Sequence, residues 1–277
     1  MLSSGMNSIT DIEILRKLQL RMWNMSIKTF NDIDHVEVFF MTKETRIKGA
    51  GGGLRGHQKD EQKQEEYKKQ SSIRAGSKIR ELVLANNLKY MWTLTYSEEI
   101  TDIEKVKADY NNFKRNLKKR IKHEFPYVAV IEIQEERSEK AGKDILHIHF
   151  ATNKRINIKK VNESWLNGFV FVSEFSGELF KVAGYLSKYI KKDIDKSQVR
   201  LKDKNRYMVS KGLARAIRTT VFIPEKDFNS VMKSADYIKE FEQGIWLKIN
   251  ARRWEQEKEK LGIRENENKN NKQSKIS

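Results

Sequence analysis

Two histidines lie one residue apart in the stretch 145–152, which reads ILHIHFAT. This stretch is apolar and β-branched, which predicts a strand. Residues at i and i+2 of a strand point to the same face, so His147 and His149 are expected to project side by side. Two neutral imidazoles on a rigid strand can share one divalent ion, which makes the pair a candidate metal site. The alternative is that both histidines simply form the polar face of an amphipathic strand.

A third, anionic ligand is expected from the preceding strand, 127–134, which reads YVAVIEIQ. Glu132, Gln134 and Glu136 are spaced by two and are expected to share one face. Glu132 lies between two isoleucines, and a carboxylate framed by core residues favours it as the ligand, with Gln134 and Glu136 as alternatives. Two imidazoles and one oxygen ligand, with open positions, suit Mg²⁺ or Mn²⁺ that also holds a phosphate.

A pair of tyrosines follows in the segment 178–193, which has the pattern of a helix. Tyr185 and Tyr189 are four residues apart and share one helical face, as do Lys188 and Lys192. A phenol is a poor nucleophile at neutral pH, but nearby ammonium groups and a metal-polarised phosphate lower the barrier to its attack. Attack on a DNA phosphate gives a phosphotyrosine and a free hydroxyl across the nick. The alternative is ordinary packing of both rings.

The composition indicates a polyanionic partner. The chain has 55 Lys and Arg against 38 Asp and Glu, which gives a net charge of +17. Nucleic acid is the commonest partner of such a protein, and a basic protein without a specific anion is the alternative. There is no cysteine, which excludes disulfides and thiolate metal sites. We expect a cytoplasmic protein with no membrane partner, because the sequence shows neither a signal peptide nor a membrane span.

The elements that would position these groups follow a regular order from about residue 88. Strands are expected at 35–42, 89–96, 127–134, 145–152, 169–175, 206–210, 218–223 and 245–251, and helices at 58–85, 101–122, 158–168, 178–193 and 225–243. Thr101 and Glu104 have the spacing of a capping box at the start of one helix. Residues 138–144 are expected to form the turn of a hairpin. This order predicts an α+β fold with an antiparallel sheet.

Three segments, in order, resemble the HUH endonucleases, the rolling-circle replication initiators of phages, plasmids and small circular DNA viruses. They are the strand MWTLTY (91–96), the His-hydrophobe-His motif HIHF (147–150) and the tyrosine motif YLSKYIKK (185–192). The segment RYMVSKGL (206–213) is also similar to one that follows the tyrosine motif in phage and Gram-positive plasmid members. The resemblance spans roughly residues 75 to 220.

The resemblance implies a five-stranded antiparallel sheet with flanking helices, a ferredoxin- or RRM-like palm with the histidines on its central strand. It implies a site-specific nick in single-stranded origin DNA that depends on Mg²⁺ or Mn²⁺, a 5′-phosphotyrosine link and rejoining of strands. By position, His147 and His149 would be metal ligands with Glu132 as the third, and the nucleophile would be Tyr185 or Tyr189.

The register of the tyrosine motif stays open in the sequence. Tyr185 with Lys188, and Tyr189 with Lys192, both satisfy the YxxK spacing. The pair matches phage initiators in which one tyrosine holds the first DNA end while the other cuts the regenerated origin. If a single tyrosine acts, Tyr189 is preferred, and one of the two lysines would assist the geometry of the phosphate or metal site.

Basic residues that could track DNA phosphates are dense in 113–123 and 189–207. The candidates are Lys114, Arg115, Lys118, Lys119, Arg120 and Lys191. Trp92 and Tyr96 are candidates for stacking on bases. The alternatives are a solvated helix face for the basic residues and core packing for the two aromatic rings.

The expected organisation has three parts. Residues 1–75 would be a charged extension that could take part in origin recognition, residues 76–255 the nickase domain, and residues 256–277 a disordered polar tail. The glycines at 51–56 are not followed by the Lys and Ser or Thr of a Walker loop, so a host helicase is expected to unwind the duplex.

Two other functions fit the same sequence features. A transposase or mobilisation relaxase of the same superfamily would share the site, although relaxases usually carry three clustered histidines. A non-enzymatic, basic domain that binds single-stranded nucleic acid would bind without cleavage and without a metal. The sequence leaves the oligomeric state open.

Overall fold

The computed structural model describes residues 22–30, 33–41, 61–192, 206–241 and 244–263, without the side chains of 61–69, 191 and 192. The strands are β1 (Met22–Thr29), β2 (His35–Met41), β3 (Tyr90–Tyr96), β4 (Tyr127–Ile133), β5 (Leu146–Thr152), β6 (Gly168–Val172), β7 (Tyr207–Val209), β8 (Ile217–Pro224), β9 (Tyr237–Phe241) and β10 (Gly244–Asn250). The helices are α1 (Glu61–Ala85), α2 (Ile103–Ile121), α3 (Glu135–Ala141), α4 (Ile158–Ser164), α5 (Leu179–Lys192), α6 (Glu225–Lys233) and α7 (Ala251–Lys260). Among the described helices, none is both long enough and apolar enough to cross a membrane.

The described residues form an α+β fold with two five-stranded antiparallel sheets, which confirms the expected fold class. The chain divides into two compact units. The central unit is Gly56–Arg215, and the terminal unit combines Met1–Arg55 with Ala216–Ser277. The terminal unit is discontinuous because β1 pairs with both β2 and β8, and β2 pairs with β10.

The compact units therefore divide at positions other than residues 75 and 255. Helix α1 falls within the central unit, where it packs against α5. The expected division of the chain by role stays a prediction. The glycine-rich stretch at 49–56 and the expected disordered tail from 264 onwards lie outside the described residues.

The sheet of the central unit has the order β6-β3-β5-β4-β7, so the strand with both histidines is the central one, as expected. Helix α2 packs an apolar stripe onto one face of this sheet, and α4 packs beside it. The stripe is Ile103, Val106, Tyr110, Phe113, Leu117 and Ile121. Each large side chain buried there stabilises the fold by about 1.5–3 kcal/mol relative to exposure. Helix α5 contacts β3 and β4 and also packs against α1.

The sheet of the terminal unit has the order β8-β1-β2-β10-β9. Helices α6 and α7 cover one of its faces. The core there includes Met25, Val38, Phe40, Leu247 and Trp254. Alternate residues of β1, β2 and β10 point into this core, so the intervening residues form the opposite face.

Three local expectations differ from the structure. The cap of α2 is Asp102, which accepts a hydrogen bond from the Glu104 backbone N–H, and not Thr101. The expected turn at 138–144 begins inside α3, which ends where Gly142 adopts a left-handed φ of 64°. The expected helix at 225–243 stops at Lys233, because β9 pairs with β10 instead.

Candidate active site

A carboxylate and two imidazoles meet on the face of the central sheet opposite α2. Glu132 lies directly across from His147 in the β4–β5 register, and one of its oxygens, Oε2, is 2.7 Å from Nε2 of both His147 and His149. The side chains are 12%, 11% and 3% exposed respectively for Glu132, His147 and His149. Donor atoms from the three residues lie within 4.8 Å of one another, so the cluster could hold a metal ion.

The protonation states of this cluster suit metal binding. Burial acts to raise the pKa of Glu132, but the hydrogen bonds with His147 and His149 outweigh it, and the pKa is lowered. Burial lowers the pKa of His149, against the opposing influence of Glu132. At neutral pH the cluster therefore offers a carboxylate and a neutral imidazole, the forms that bind a divalent cation.

Thr93 orients one of the two imidazoles, and sequence reasoning missed it. It lies across from His149 in the β3–β5 register, and its Oγ1 is 2.9 Å from His149 Nδ1. A hydroxyl can donate or accept, so it holds the ring with Nε2 toward Glu132 in either tautomer. Histidines that bind metals usually use the second ring nitrogen in this way. His147 Nδ1 is buried, and no hydrogen-bond partner lies among the described residues.

The alternation within MWTLTY was a signal for Thr93. Trp92 and Tyr96 point into the core, where they are 1% and 2% exposed, and Trp92 stacks on Phe150 at 5.1 Å between ring centroids. The residues between them point to the histidine face. The two rings thus adopt the core packing that the sequence left open as an alternative, and neither offers a face to a base.

Both tyrosines of α5 contact the same histidine. The Tyr189 ring lies 5.0 Å from the His149 ring at an interplanar angle of 22°, and the Tyr185 ring lies 5.2 Å away at 90°. The two tyrosine rings are 4.5 Å apart, and a hydrogen bond links their side chains. The structure therefore brings both candidate nucleophiles to the metal cluster. Lys188 is exposed, and the side chain of Lys192 is outside the described ones.

The surroundings keep the Tyr189 phenol protonated at neutral pH. Burial, the hydrogen bond with Tyr185 and the negative charges of Glu132 and Glu135 all raise the pKa of Tyr189. A cation bound at Glu132 would act in the opposite direction. Glu135 is a further residue of this electrostatic environment that sequence reasoning missed.

The alternative ligands lie elsewhere. Strand β4 ends at Ile133, and Gln134 is the N-terminal cap of α3. Glu136 lies in the first turn of that helix and is exposed. The alternation of a strand does not continue into a helix, so the expected shared face ends with Glu132.

The basic stretch of α2 and the metal cluster lie on opposite faces of the central sheet. This follows because α2 packs on the core face. Lys114 donates to the Tyr127 hydroxyl at 2.8 Å, and Arg120 pairs with Glu163 at 3.0 Å. Arg115 bonds to Asn112, Lys118 pairs with Glu124, and Lys119 is exposed. Any DNA contact of these residues is therefore away from the histidines; the side chain of Lys191 is outside the described ones.

Two exposed phenylalanines share the histidine face, and sequence reasoning missed them too. Phe171 lies across from Thr93, and Phe169 across from Thr95, on edge strand β6. Their exposed fractions are 57% and 60%. Gly168 allows β6 to approach β3, because a Cβ there would lie 2.3 Å from the Thr95 carbonyl oxygen. Exposed rings beside a polar cluster are suited to stacking on unpaired bases.

Residues 89–194 match one family model. The family is described as replication-associated protein, of the ORF2/gene 2 protein type. The matched segment contains the three residues of the metal cluster and both tyrosines, and it leaves out the terminal unit. The chain has no match among curated proteins and none among solved structures.

Proposed function

We propose that this protein is a metal-dependent, site-specific DNA nickase and strand-transferase that initiates rolling-circle replication of a phage or plasmid. The observation that carries the proposal is the contact of both Tyr185 and Tyr189 with His149 of the metal cluster. The match of this segment to a family of replication-associated proteins supports a role in DNA replication. The excess of basic residues is suited to a polyanionic substrate.

In the proposed reaction, a phenolic oxygen of Tyr185 or Tyr189 forms a bond to a backbone phosphorus. The bond from phosphorus to the 3′ oxygen breaks, the phenol gives up its proton, and the 3′ oxygen takes one up. The products are a 5′-phosphotyrosine and a free 3′-hydroxyl. The new linkage is again a phosphate ester, so a later hydroxyl can reverse the step and join strands.

Glu132, His147 and His149 would hold the Mg²⁺ or Mn²⁺ ion in this proposal. A bound ion would supply Lewis-acid polarisation of the scissile phosphate. Thr93 would keep the His149 ring in place through its hydroxyl. Lys188 or Lys192 would help to position the phosphate, and Phe169 and Phe171 would stack on neighbouring bases.

Two nucleophiles at one cluster suit two successive cleavages. The rings of Tyr185 and Tyr189 both contact His149 and are hydrogen-bonded to each other, so neither is remote from the proposed phosphate position. One would hold the first DNA end while the other cuts the regenerated origin. A host helicase would unwind the duplex, because the sequence has no complete Walker loop.

Covalent trapping tests this proposal. The purified chain is incubated with Mn²⁺ and a pool of labelled single-stranded oligonucleotides that includes the DNA next to its coding region. Protein and DNA that migrate together on a denaturing gel are the expected result. The adduct should be lost with a chelator and in Tyr185→Phe/Tyr189→Phe, and each single variant shows which tyrosine makes the first cut.

Tyr90→Phe is the matched control, because it removes a phenol from strand β3 and leaves α5 intact. An adduct that persists in the double variant would contradict the assigned nucleophiles. A folded, Mn²⁺-binding wild-type protein that forms no adduct with any strand of the pool would contradict the nickase itself.

A further inference from the structure

The face of the terminal sheet that α6 and α7 leave uncovered combines cations with aromatic rings. Pairing between its five strands fixes which residues share this face. The charged residues among its paired positions are Lys28, Glu37, Arg218, Lys239 and Lys248, and the aromatic residues are Phe39, Phe222, Tyr237, Phe241 and Trp246. Only one of the five charged residues is acidic, so the face favours an anionic ligand.

The rings of edge strand β9 are open to solvent. Tyr237 and Phe241 are 53% and 50% exposed. Lys239, between them, lies with Nζ 5.3 Å from the centroid of the Phe241 ring. Tyr237 meets Trp246 edge-on at 5.8 Å between centroids, so aromatic surface extends from the edge into the sheet. Clustered exposed apolar groups of this kind mark interaction sites.

The alternation of ring, cation and ring along β9 fits one class of ligand. Single-stranded nucleic acid presents unpaired base faces together with phosphates, and aromatic side chains and lysines on a sheet bind these two parts. A duplex stacks its bases inward, so it would use the lysines and leave the rings without a role. An acidic peptide would likewise need only the cations.

We propose that this open face of the terminal sheet binds single-stranded DNA. Tyr237 and Phe241 stack on bases, and Lys239 pairs with a phosphate between them. The surface lies outside the segment 89–194 that matches the replication-associated family. The proposal does not depend on the tyrosine chemistry of the central unit, although a nickase would use such a surface to hold its strand.

Binding is measured on the full chain in the Tyr185→Phe/Tyr189→Phe background, so that no strand is cut. Fluorescence anisotropy with a labelled oligothymidine reports the Kd across a series of salt concentrations. Tyr237→Ala/Phe241→Ala should raise the Kd about tenfold or more, because a base stacked on a ring contributes substantially to affinity. Lys239→Gln should reduce the slope of log K against log salt by about 0.7, the value for one phosphate contact on a single strand.

Ile238→Ala/Glu240→Gln is the matched control, because these residues alternate to the other face of the same strand. It should leave the Kd unchanged, and circular dichroism should show every variant folded. Equal loss for duplex and single-stranded DNA would overturn the proposal, since it would leave the rings without a role. It would also be overturned if the ring variants kept the wild-type Kd but lost self-association in light scattering.

A failure of the nickase proposal remains distinguishable from a failure of this one. Loss of the covalent adduct concerns Tyr185 and Tyr189, whereas the binding measurement is made with both already replaced. A chain that forms the adduct but shows no effect of Tyr237→Ala/Phe241→Ala would retain the nickase and exclude the second surface.

Discussion

The two sheets of this protein have the same architecture and different chemistry on the face opposite their main core. Each is antiparallel and five-stranded, and each packs one face against helices. The central sheet places Glu132, His147 and His149 on the other face, where little of these side chains is exposed. The terminal sheet places exposed residues such as Lys239 and Tyr237 on the corresponding face.

The difference shows how far burial strengthens a functional inference. A carboxylate and imidazoles removed from water cost free energy unless they are hydrogen-bonded or hold an ion. The cluster at Glu132 bears this cost, which indicates a role in chemistry. Solvated lysines carry no such cost, so the terminal sheet supports a proposal only because aromatic rings accompany them.

Removing both imidazoles should have the largest effect and should touch one sheet only. His147→Ala/His149→Ala is expected to lower the rate of adduct formation about 10³-fold, because metal polarisation supplies several kcal/mol. Single-turnover assays with saturating DNA measure this rate. Lys239→Gln, on the terminal sheet, should leave it within twofold by the same arithmetic. Equal rates for the double variant and wild type would break the contrast between the sheets.

Core truncation should affect both sheets alike. Phe150→Ala in the central unit and Phe40→Ala in the terminal unit should each reduce the free energy of unfolding by about 3–5 kcal/mol, because each ring is fully buried. Urea denaturation followed by circular dichroism measures both. A loss below about 1 kcal/mol at either site would show that the corresponding core is not packed as described.

Removing the Thr93 hydroxyl should have a smaller effect, confined to the metal cluster. Thr93→Val should weaken Mn²⁺ binding about 10- to 100-fold, the usual consequence of losing a residue that orients a metal-binding histidine. Isothermal titration calorimetry measures this affinity. Thr93→Ser keeps the hydroxyl and should restore binding to near the wild-type value. Equal weakening in both variants would point to packing and not to the hydrogen bond with His149.

The response to pH should be the smallest of these effects, and it belongs to the central sheet. In the folded protein the pKa of His149 lies below 6.5 and that of Glu132 below 4.5. The unfolded chain therefore binds more protons as pH falls, first near 6.5 and then near 4.5, and the metal-free protein loses stability in that order. Urea denaturation at several pH values should show that His149→Gln removes the first loss. Identical pH profiles for wild type and variant would contradict this assignment.

Much of the candidate site could be predicted from local periodicity. The alternation within ILHIHFAT places His147 and His149 on one face and their apolar neighbours in the core, as the structure has them. The four-residue spacing of Tyr185 and Tyr189 likewise places both on one side of α5. These patterns are short-range, because strand and helix periods are fixed by the backbone alone.

Tertiary structure decided what local patterns leave open. Strand register placed Thr93 beside His149 and Glu132 across from His147, and the end of β4 removed Glu136 from that face. Packing decided that the basic stretch of α2 lies behind the sheet, and pairing of β1 with β8 joined the two ends of the chain into one unit. Register and the choice of buried face depend on contacts between residues far apart in sequence, and no local period encodes them.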